Sequence, residues 1–499
     1  MRLICDKIFR TLRTFTTVGA QQECTGTIKP YDEIPTEGVS DNSSNLDELD
    51  DPCYLHEQCD RLHRRLGPIF RKHLGTQELV FIADTSLIHS VIRNEGLHPH
   101  HSVPPCWAYY NNVKNLGRGV FFQTGETWAK LRKPLADVLL KDQKSITRFA
   151  KDLIDVNNDM VQEWRERSDG EIILTDVKRE LCRWSIEATG CMLFGTRMGC
   201  IKTKTAQSNY LKAEQLVDNI TEMFAMTAKF QVMPVAQAHE LNNELWRRFE
   251  TSMTTMLQLS DEYAREFLNV AYQSESKATL VGDIMKLGAL NEFELRQSVV
   301  DLIIASADTT STSLQWMLYL LSKNRDVQEN VSQESHLLLD NKSDFTDYRE
   351  LVPFTFGFIK ETLRLYPTAP FLARTLDHDI TLSNYRVPAG TPIVFSLYTT
   401  SRLRDYFEDP LNFRPERWLR RKQRTVVNRR CNSSASLPFG IGRRMCLGKR
   451  LAELQMTLLI ASLTSTFELC PTQDDVKIKL MMTLGPEKPI KITLRPRLN

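Results

Sequence analysis

From Asn291 to Val352 the chain contains neither glycine nor proline, although it carries 21 of each elsewhere. Those two residues are the commonest local breakers of regular structure, so this stretch constrains the fold more than any other feature of the sequence. Residues 292–322 accordingly predict one helix, about 45 Å long at 1.5 Å per residue. A helix of that length crosses a whole domain. Helical patterning recurs over 353–366, over 447–466 and through most of 125–275. The chain has 499 residues, 41% hydrophobic and 25% charged. That composition is globular, and the length allows a large core with room for a bulky cofactor. The reading is one large, mainly α domain with minor β, spanning residues 55–499.

Shorter signals fill in the frame. LHEQCDRLHRRLGPIF reads as a helix stopped at Gly67-Pro68. ELVFIAD reads as a strand, and TSLIHSVIRNEG as a helix capped by Thr85 or Ser86. Residues 97–120 mix proline, glycine and aromatics without a period, which predicts a long loop of the kind that lines binding sites. TLSNYRVPAGTPIVFSL predicts two strands around a Pro-Ala-Gly turn. Residues 401–436 read as irregular and 473–496 as short strands. Ahead of Leu55, residues 1–20 hold Arg2, Lys7, Arg10 and Arg13 against Asp6, with several threonines, which is the look of a mitochondrial presequence. Asp32 to Asp51 is acidic and rich in serine and asparagine, and reads as a linker. No run of about 18 apolar residues occurs, so no transmembrane anchor is expected.

The net charge is only +2, so charge arguments have to be local and nothing points to nucleic acid. The 11 cysteines are scattered, with no CxxC and no zinc spacing, as reduced thiols are. His98-Pro99-His100-His101 reads as a polar loop, not a metal site. One cysteine stands apart, in PFGIGRRMCLGKRLAE. Gly440, Gly442 and Gly448 remove side chains around Cys446, so something flat and large can approach the backbone. Their amides can face the sulfur, and the helix that begins near Leu447 favours an anion at its start. Arg444 offers a fork for a carboxylate. A thiolate is a nucleophile or a metal ligand, and no histidine base lies nearby in the chain. A flat ligand with a central metal and carboxylates at its edge is haem, for which a cysteine thiolate is a known axial ligand.

With that, the resemblance is specific. Phe439-x-x-Gly442-x-Arg444-x-Cys446-x-Gly448 resembles the haem-binding signature of the cytochrome P-450 family at all five fixed positions. The family's other motifs follow in its order, over about residues 55–496. Glu361-x-x-Arg364 is similar to its E-x-x-R pair, and Arg417 in FRPERW to the third member of a buried Glu–Arg–Arg network. Removing one partner of such a network strands a buried charge, at roughly 3–5 kcal/mol. Trp128-x-x-x-Arg132 and Arg374 resemble the groups that hold the haem propionates. The resemblance implies the cytochrome P-450 fold, with haem b between the long helix and the cysteine loop. It makes Cys446 the iron ligand, with Phe439 and Arg444 beside the cofactor. In Ala305-Ser306-Ala307-Asp308-Thr309-Thr310 the family usually has A-G-x-D-T-T. Asp308 and Thr309 are then expected to relay protons to dioxygen. Ser306 departs from the pattern and narrows the groove or bonds within it.

The same likeness bears on partner and substrate. From Arg417 to Ala452 there are eleven Lys or Arg residues and no Asp or Glu. A basic patch there steers an acidic partner, and the mitochondrial branch uses a small [2Fe–2S] ferredoxin with an NADPH-dependent reductase. Lys360, Arg420, Arg421, Lys449 and Arg450 are the docking candidates; Phe356 stands where that branch often has a second lysine. The resemblance implies peripheral contact with the matrix side of the mitochondrial inner membrane. Where the family has a proline-rich hinge, only Pro30, Pro35 and Pro52 occur. GTRMG after RWSIEATGCMLF, QTGETWAKLRK and FIKETLRLYPTAPFLARTL are similar to the arthropod ecdysteroid 2-hydroxylases of the Halloween group, which implies oxidation of 2-deoxyecdysone to ecdysone. Trp107, Tyr110, Ile304, Ala305, Ala369 and Leu372 are the pocket candidates. Two alternatives stay open: a mitochondrial hydroxylase of another sterol, and a non-catalytic haem or sterol carrier.

Overall fold

The computed structural model describes residues 27–37 and 51–497, apart from 76, 142, 169, 203–206, 231–232, 274–278, 341–344, 421–430 and 473–474. The expected presequence and Arg421 lie outside the described residues. Among those described, the helices of eight or more residues are α1 Leu55–Leu66, α2 Thr85–Arg93, α3 Pro105–Val113, α4 Gly125–Leu139, α5 Ala150–Arg165 and α6 Val177–Phe194. They continue as α7 Gln207–Lys229, α8 Glu244–Gln273, α9 Glu292–Lys323, α10 Arg325–Leu339, α11 Pro353–Leu365 and α12 Lys449–Thr466. The strands are β1 Ile69–Leu74, β2 Gln77–Ile82, β3 Ile172–Leu174, β4 Phe371–Thr375, β5 Ile380–Leu382, β6 Tyr385–Val387, β7 Pro392–Ser396, β8 Phe467–Pro471, β9 Ile478–Leu480, β10 Leu484–Pro486 and β11 Ile492–Pro496.

The long helix is α9, 32 residues in one piece. Its start is held by a capping box: Asn291 accepts from the Glu294 amide and Glu294 accepts from the Asn291 amide. From Leu295 to Ser322 it is buried on most sides, packed against α6, α8, α11 and α12. It forms the axis of the main core, which runs from α3 to β11. A four-stranded sheet in the order β1-β2-β7-β4 lies to one side. Within it β2 and β7 are parallel, and the other pairs antiparallel. This sheet carries β4, and with it Arg374, to the cysteine loop.

Three local expectations are corrected and one strand is added. The stretch 97–120 is not all loop, because Pro104-Pro105 opens α3. Proline at the first helical position is a start signal, not a break, and Cys106, Trp107 and Tyr110 then bury one face. The cap of α2 is Asp84, whose carboxylate accepts from the Ser86 and Leu87 amides. β5 and β6 turn at Ser383-Asn384, both at positive φ of 49° and 66°, the two-residue turn that matches strand twist. The expected Pro-Ala-Gly turn does lie between two strands, β6 and β7, and passes the chain into the four-stranded sheet; β5 is the strand not expected. Finally, the folded body begins ahead of Leu55. Ile34 is buried, Lys29 N donates to Asn384 O at 2.8 Å, and Arg71 N donates to Pro35 O at 2.8 Å. Residues 27–37 are therefore docked on the sheets. Their acidity misled because the apolar anchor is a single isoleucine.

Candidate active site

Cys446 sits at the end of a loop shaped by Gly440 and Gly442, at φ of 70° and 79°. Side chains rarely adopt that conformation. The Cys446 amide donates to Phe439 O at 2.9 Å, and Gly448 caps the start of α12. The sulfur is exposed, yet burial raises its thiol pKa, with the Gly448 amide, Arg132 and Lys449 opposing. A side chain that is both exposed and deeply enclosed opens onto an interior space, not onto bulk water.

Three guanidiniums converge beside this loop. Arg132 Nη2 donates to Met445 O at 2.6 Å. Arg444 donates to Pro99 O at 2.9 Å and Gln123 O at 3.0 Å, and lies 4.1 Å from the Trp128 ring centre. Trp128 and Arg132 share one face of α4, four residues apart. Arg374, on β4, is 3% exposed. Burial first, then Arg374 and Arg132, together lower Arg444 to about 10, with Glu95 opposing. His101 is pulled down to about 4 by burial and by Arg444 and Arg374, and its buried Nδ1 has no partner. The carboxylate that opposes this cluster is Glu95, with Nε of Arg374 donating to it at 2.7 Å. Three cations and one anion leave two positive charges unbalanced in a desolvated place. That donor set suits a ligand with two carboxylates at its edge.

The opposite wall is α9. Ala305 and Thr309 are exposed, four residues apart, while Ile303, Ile304, Ala307, Asp308 and Thr310 are buried. Exposure at that spacing marks one helical face opening inward. The Thr309 hydroxyl donates to Ala305 O at 2.7 Å, and Ser306 Oγ donates to Ile303 O at 2.9 Å. Asp308 points elsewhere. It pairs with Lys178 Nζ at 2.7 Å and accepts from Thr483 Oγ1 at 2.8 Å. The structure therefore does not bring Asp308 and Thr309 together as a hydrogen-bonded pair. Adjacent helical residues point about 100° apart.

Glu361, Arg364 and Arg417 are fully buried and do meet. Glu361 Oε1 accepts from Arg364 Nη2 at 2.8 Å, Arg417 Nε at 2.9 Å and the Arg414 amide at 2.9 Å. Its Oε2 accepts from Arg364 Nε and Trp418 Nε1, both at 2.9 Å. Burial pushes the Glu361 carboxyl up, but the arginines outweigh it and hold it below the usual range. Among the expected pocket residues, Trp107, Tyr110 and Ile304 are buried in the main core. Trp107 donates to Thr227 at 2.7 Å, and Tyr110 shares a 2.7 Å hydroxyl bond with Thr254, coupling α3 to α7 and α8. Ala369 and Leu372 are half-buried; a Cβ on Gly440 would lie 3.3 Å from Leu372 Cδ1.

Of the basic docking candidates, Lys449 and Arg450 open α12 and are half-buried. Lys360 lies 4.6 Å from the Phe356 ring centre and 5.7 Å from that of Trp418. Burial pulls its ammonium down. Arg420 is exposed and pairs with exposed Glu350 at 2.7 Å. Lys178 and Glu95 lie in no local sequence pattern, and neither does the buried Arg118–Asp301 pair at 3.2 Å. That pair, with the Phe121 amide donating to Asp301 at 3.2 Å, ties the loop after α3 to α9.

Comparison with known proteins agrees with this geometry. The family model described as Cytochrome P450 matches residues 45–494. The chain is 31% identical over 471 residues to "Cytochrome P450 315a1, mitochondrial" of Drosophila melanogaster, covering 89% of this chain and 84% of that protein. It is 30% identical over 444 residues to "1,25-dihydroxyvitamin D(3) 24-hydroxylase, mitochondrial" of Rattus norvegicus, with the same coverage of 89% and 84%. It is 28% identical over 484 residues to "Cholesterol side-chain cleavage enzyme, mitochondrial" of Oncorhynchus mykiss, covering 94% and 91%.

Proposed function

The chain belongs to the cytochrome P450 family, and from that premise we propose that it is a mitochondrial mono-oxygenase that hydroxylates a steroid, at C2 of 2-deoxyecdysone. The family implies a haem-thiolate cofactor with a cysteine axial ligand. The residues present fit it: an inward-facing cysteine lies beside two unbalanced positive charges. That is the observation that carries the reading. Cys446 would ligate the iron, as a thiolate once metal replaces its proton. Arg132, Arg374, Arg444 and Trp128 would hold the two propionates, and Phe439 would lie beside the ring. When bound, the haem supplies the iron at which dioxygen is activated with two electrons.

The protein's own groups do the rest. Glu361, Arg364 and Arg417 hold the segment 401–418 through Ser401, Glu408, Asp409 and Pro410 carbonyls. Thr309 Oγ1 carries a movable proton on the open face of α9, now given to Ala305 O. Asp308 and Lys178 form a charged store one residue away, reaching from the core toward a surface pocket of about 390 Å³ lined by Asp176, Lys178 and Asp218. The aliphatic and aromatic wall suits a sterol body.

The substrate assignment rests on the likeness of 183–199, 123–133 and 358–376 to the ecdysteroid 2-hydroxylases. It is supported by relatives whose names give a secosteroid and a sterol as substrates. Electrons would come from a [2Fe–2S] ferredoxin docked on Lys360, Arg420, Arg421, Lys449 and Arg450. The place of action would be the matrix side of the inner mitochondrial membrane, by peripheral contact; no described helix is long and apolar enough to cross a membrane. The test is turnover of 2-deoxyecdysone by the purified holoprotein with ferredoxin, its reductase and NADPH, read by mass spectrometry. One oxygen added at C2 supports the whole reading. No product, with an intact ferrous–CO thiolate spectrum, removes the substrate and keeps the mono-oxygenase. Turnover of a different sterol favours the alternative hydroxylase.

A further inference from the structure

Glu95 has no local sequence signal: it stands just past the end of α2, before Gly96. In the fold its side chain is 3% exposed. One oxygen, Oε2, accepts from Arg374 Nε at 2.7 Å. The other, Oε1, accepts from the backbone amide of Arg443 at 2.9 Å. The carboxylate therefore bridges β4 to the cysteine loop, three residues before Cys446. The fit is close: a Cβ on Gly442 would lie 2.4 Å from Glu95 Oε1. Gly442 is thus needed for this contact as well as for its positive φ of 79°. Arg374 has its remaining bonds to Ala373 O at 2.9 Å and Ile441 O at 3.2 Å. Its fork is oriented by Glu95 and the loop together.

We infer that Glu95 is a positioning residue for the haem. It fixes the 442–443 peptide and the Arg374 fork, and it sets the charge of the propionate site to match two carboxylates. The inference rests on the haem reading above. With Glu95 in place, three guanidiniums and one carboxylate balance two propionates. Without its charge, the filled site carries one positive charge too many beside the iron. Excess positive charge favours the reduced metal, because reduction adds an electron. Loss of the bridge also frees the loop that carries the ligand. Outer partners of metal ligands usually change retention by about 10–100-fold.

The experiment compares wild-type holoprotein with Glu95→Gln and Glu95→Asp. The readouts are the ferrous–CO spectrum, the midpoint potential of the iron, and the rate of haem transfer to apomyoglobin. Glu95→Gln is expected to keep the thiolate spectrum, shift the potential positive and lose haem at least tenfold faster. Glu95→Asp keeps the charge but withdraws it by one methylene. It is expected to hold the potential near wild type while still losing haem faster. If wild type itself gives no thiolate spectrum, the haem reading falls. If wild type gives it and both variants match wild type in potential and haem loss, the role of Glu95 is overturned. Should Glu95→Gln not accumulate as folded protein, Glu95→Asp decides alone: haem loss at the wild-type rate overturns the proposal.

Discussion

Replacing Thr309 with alanine removes the hydroxyl that donates to Ala305 O on the exposed face of α9, and little else. The neighbouring side chains are packed independently of it, so the fold and the thiolate spectrum are expected to survive. Proton supply at that face is expected to fail, so that oxygen and NADPH are consumed with little hydroxylated product. Measured stoichiometry of NADPH to product decides this, and normal coupling in Thr309→Ala sinks the proton role. Cys446→Ser tests a different atom. An alkoxide or hydroxyl is a poor substitute for a thiolate on iron, so the ferrous–CO band should leave the thiolate position and turnover should vanish. Both residues were legible from the sequence, because each lies in a local pattern of fixed spacing. The direction of Asp308 was not. Its partners, Lys178 and Thr483, lie 130 and 175 positions away in the chain, and no local spacing encodes which side of a long helix meets them.

At the scale of elements, the strongest test is the carboxylate that joins α11 to the segment before the cysteine loop. Glu361 accepts five bonds from Arg364, Arg417, Trp418 and the Arg414 amide. Glu361→Gln leaves two fully buried guanidiniums without their counter-charge, at roughly 3–5 kcal/mol, a large share of ordinary domain stability. Little holoprotein should accumulate, and thermal unfolding of what remains should begin well below wild type. The pH dependence follows from the same group. Its folded pKa lies below the usual carboxylate value, so its contribution is complete above about pH 4.3 and is lost as pH falls below that. Wild type is therefore expected to lose stability on acidification more steeply than Glu361→Gln, measured by denaturant midpoints from about pH 5 down to about pH 3. The helices α9, α11 and α12 were readable because long periodic runs without breakers carry their own signal. α3 was not, because nine residues opened by two prolines look like punctuation. The Ser383-Asn384 turn was missed because the neighbouring Pro-Ala-Gly carries the stronger turn composition.

At the scale of the molecule, a net charge of +2 conceals a strongly basic face around the cysteine loop. Lys449 and Arg450 occupy the first turn of α12, and no acidic residue joins them there. Cations at a helix start oppose the macrodipole, each at about 0.3–1 kcal/mol. A local rule broken at two successive positions is the kind of cost tolerated at a functional site, which is consistent with the proposed docking of a partner here. The charge is of the sign that steers an acidic ferredoxin toward the thiolate side. Lys360 contributes less freely, since its ammonium is half-buried between the Phe356 and Trp418 rings, and Arg420 already has Glu350 beside it. Lys449→Glu should therefore keep the thiolate ferrous–CO spectrum. It should also raise the KM for ferredoxin about tenfold, the equivalent of about 1.4 kcal/mol. Screening gives the second arm: between low salt and 0.15 M, where the Debye length falls to about 8 Å, wild-type turnover at limiting ferredoxin should drop, and that of Lys449→Glu should drop less. An unchanged KM and an unchanged salt slope would remove Lys449 from the docking surface and leave the basic face to be explained by the remaining arginines.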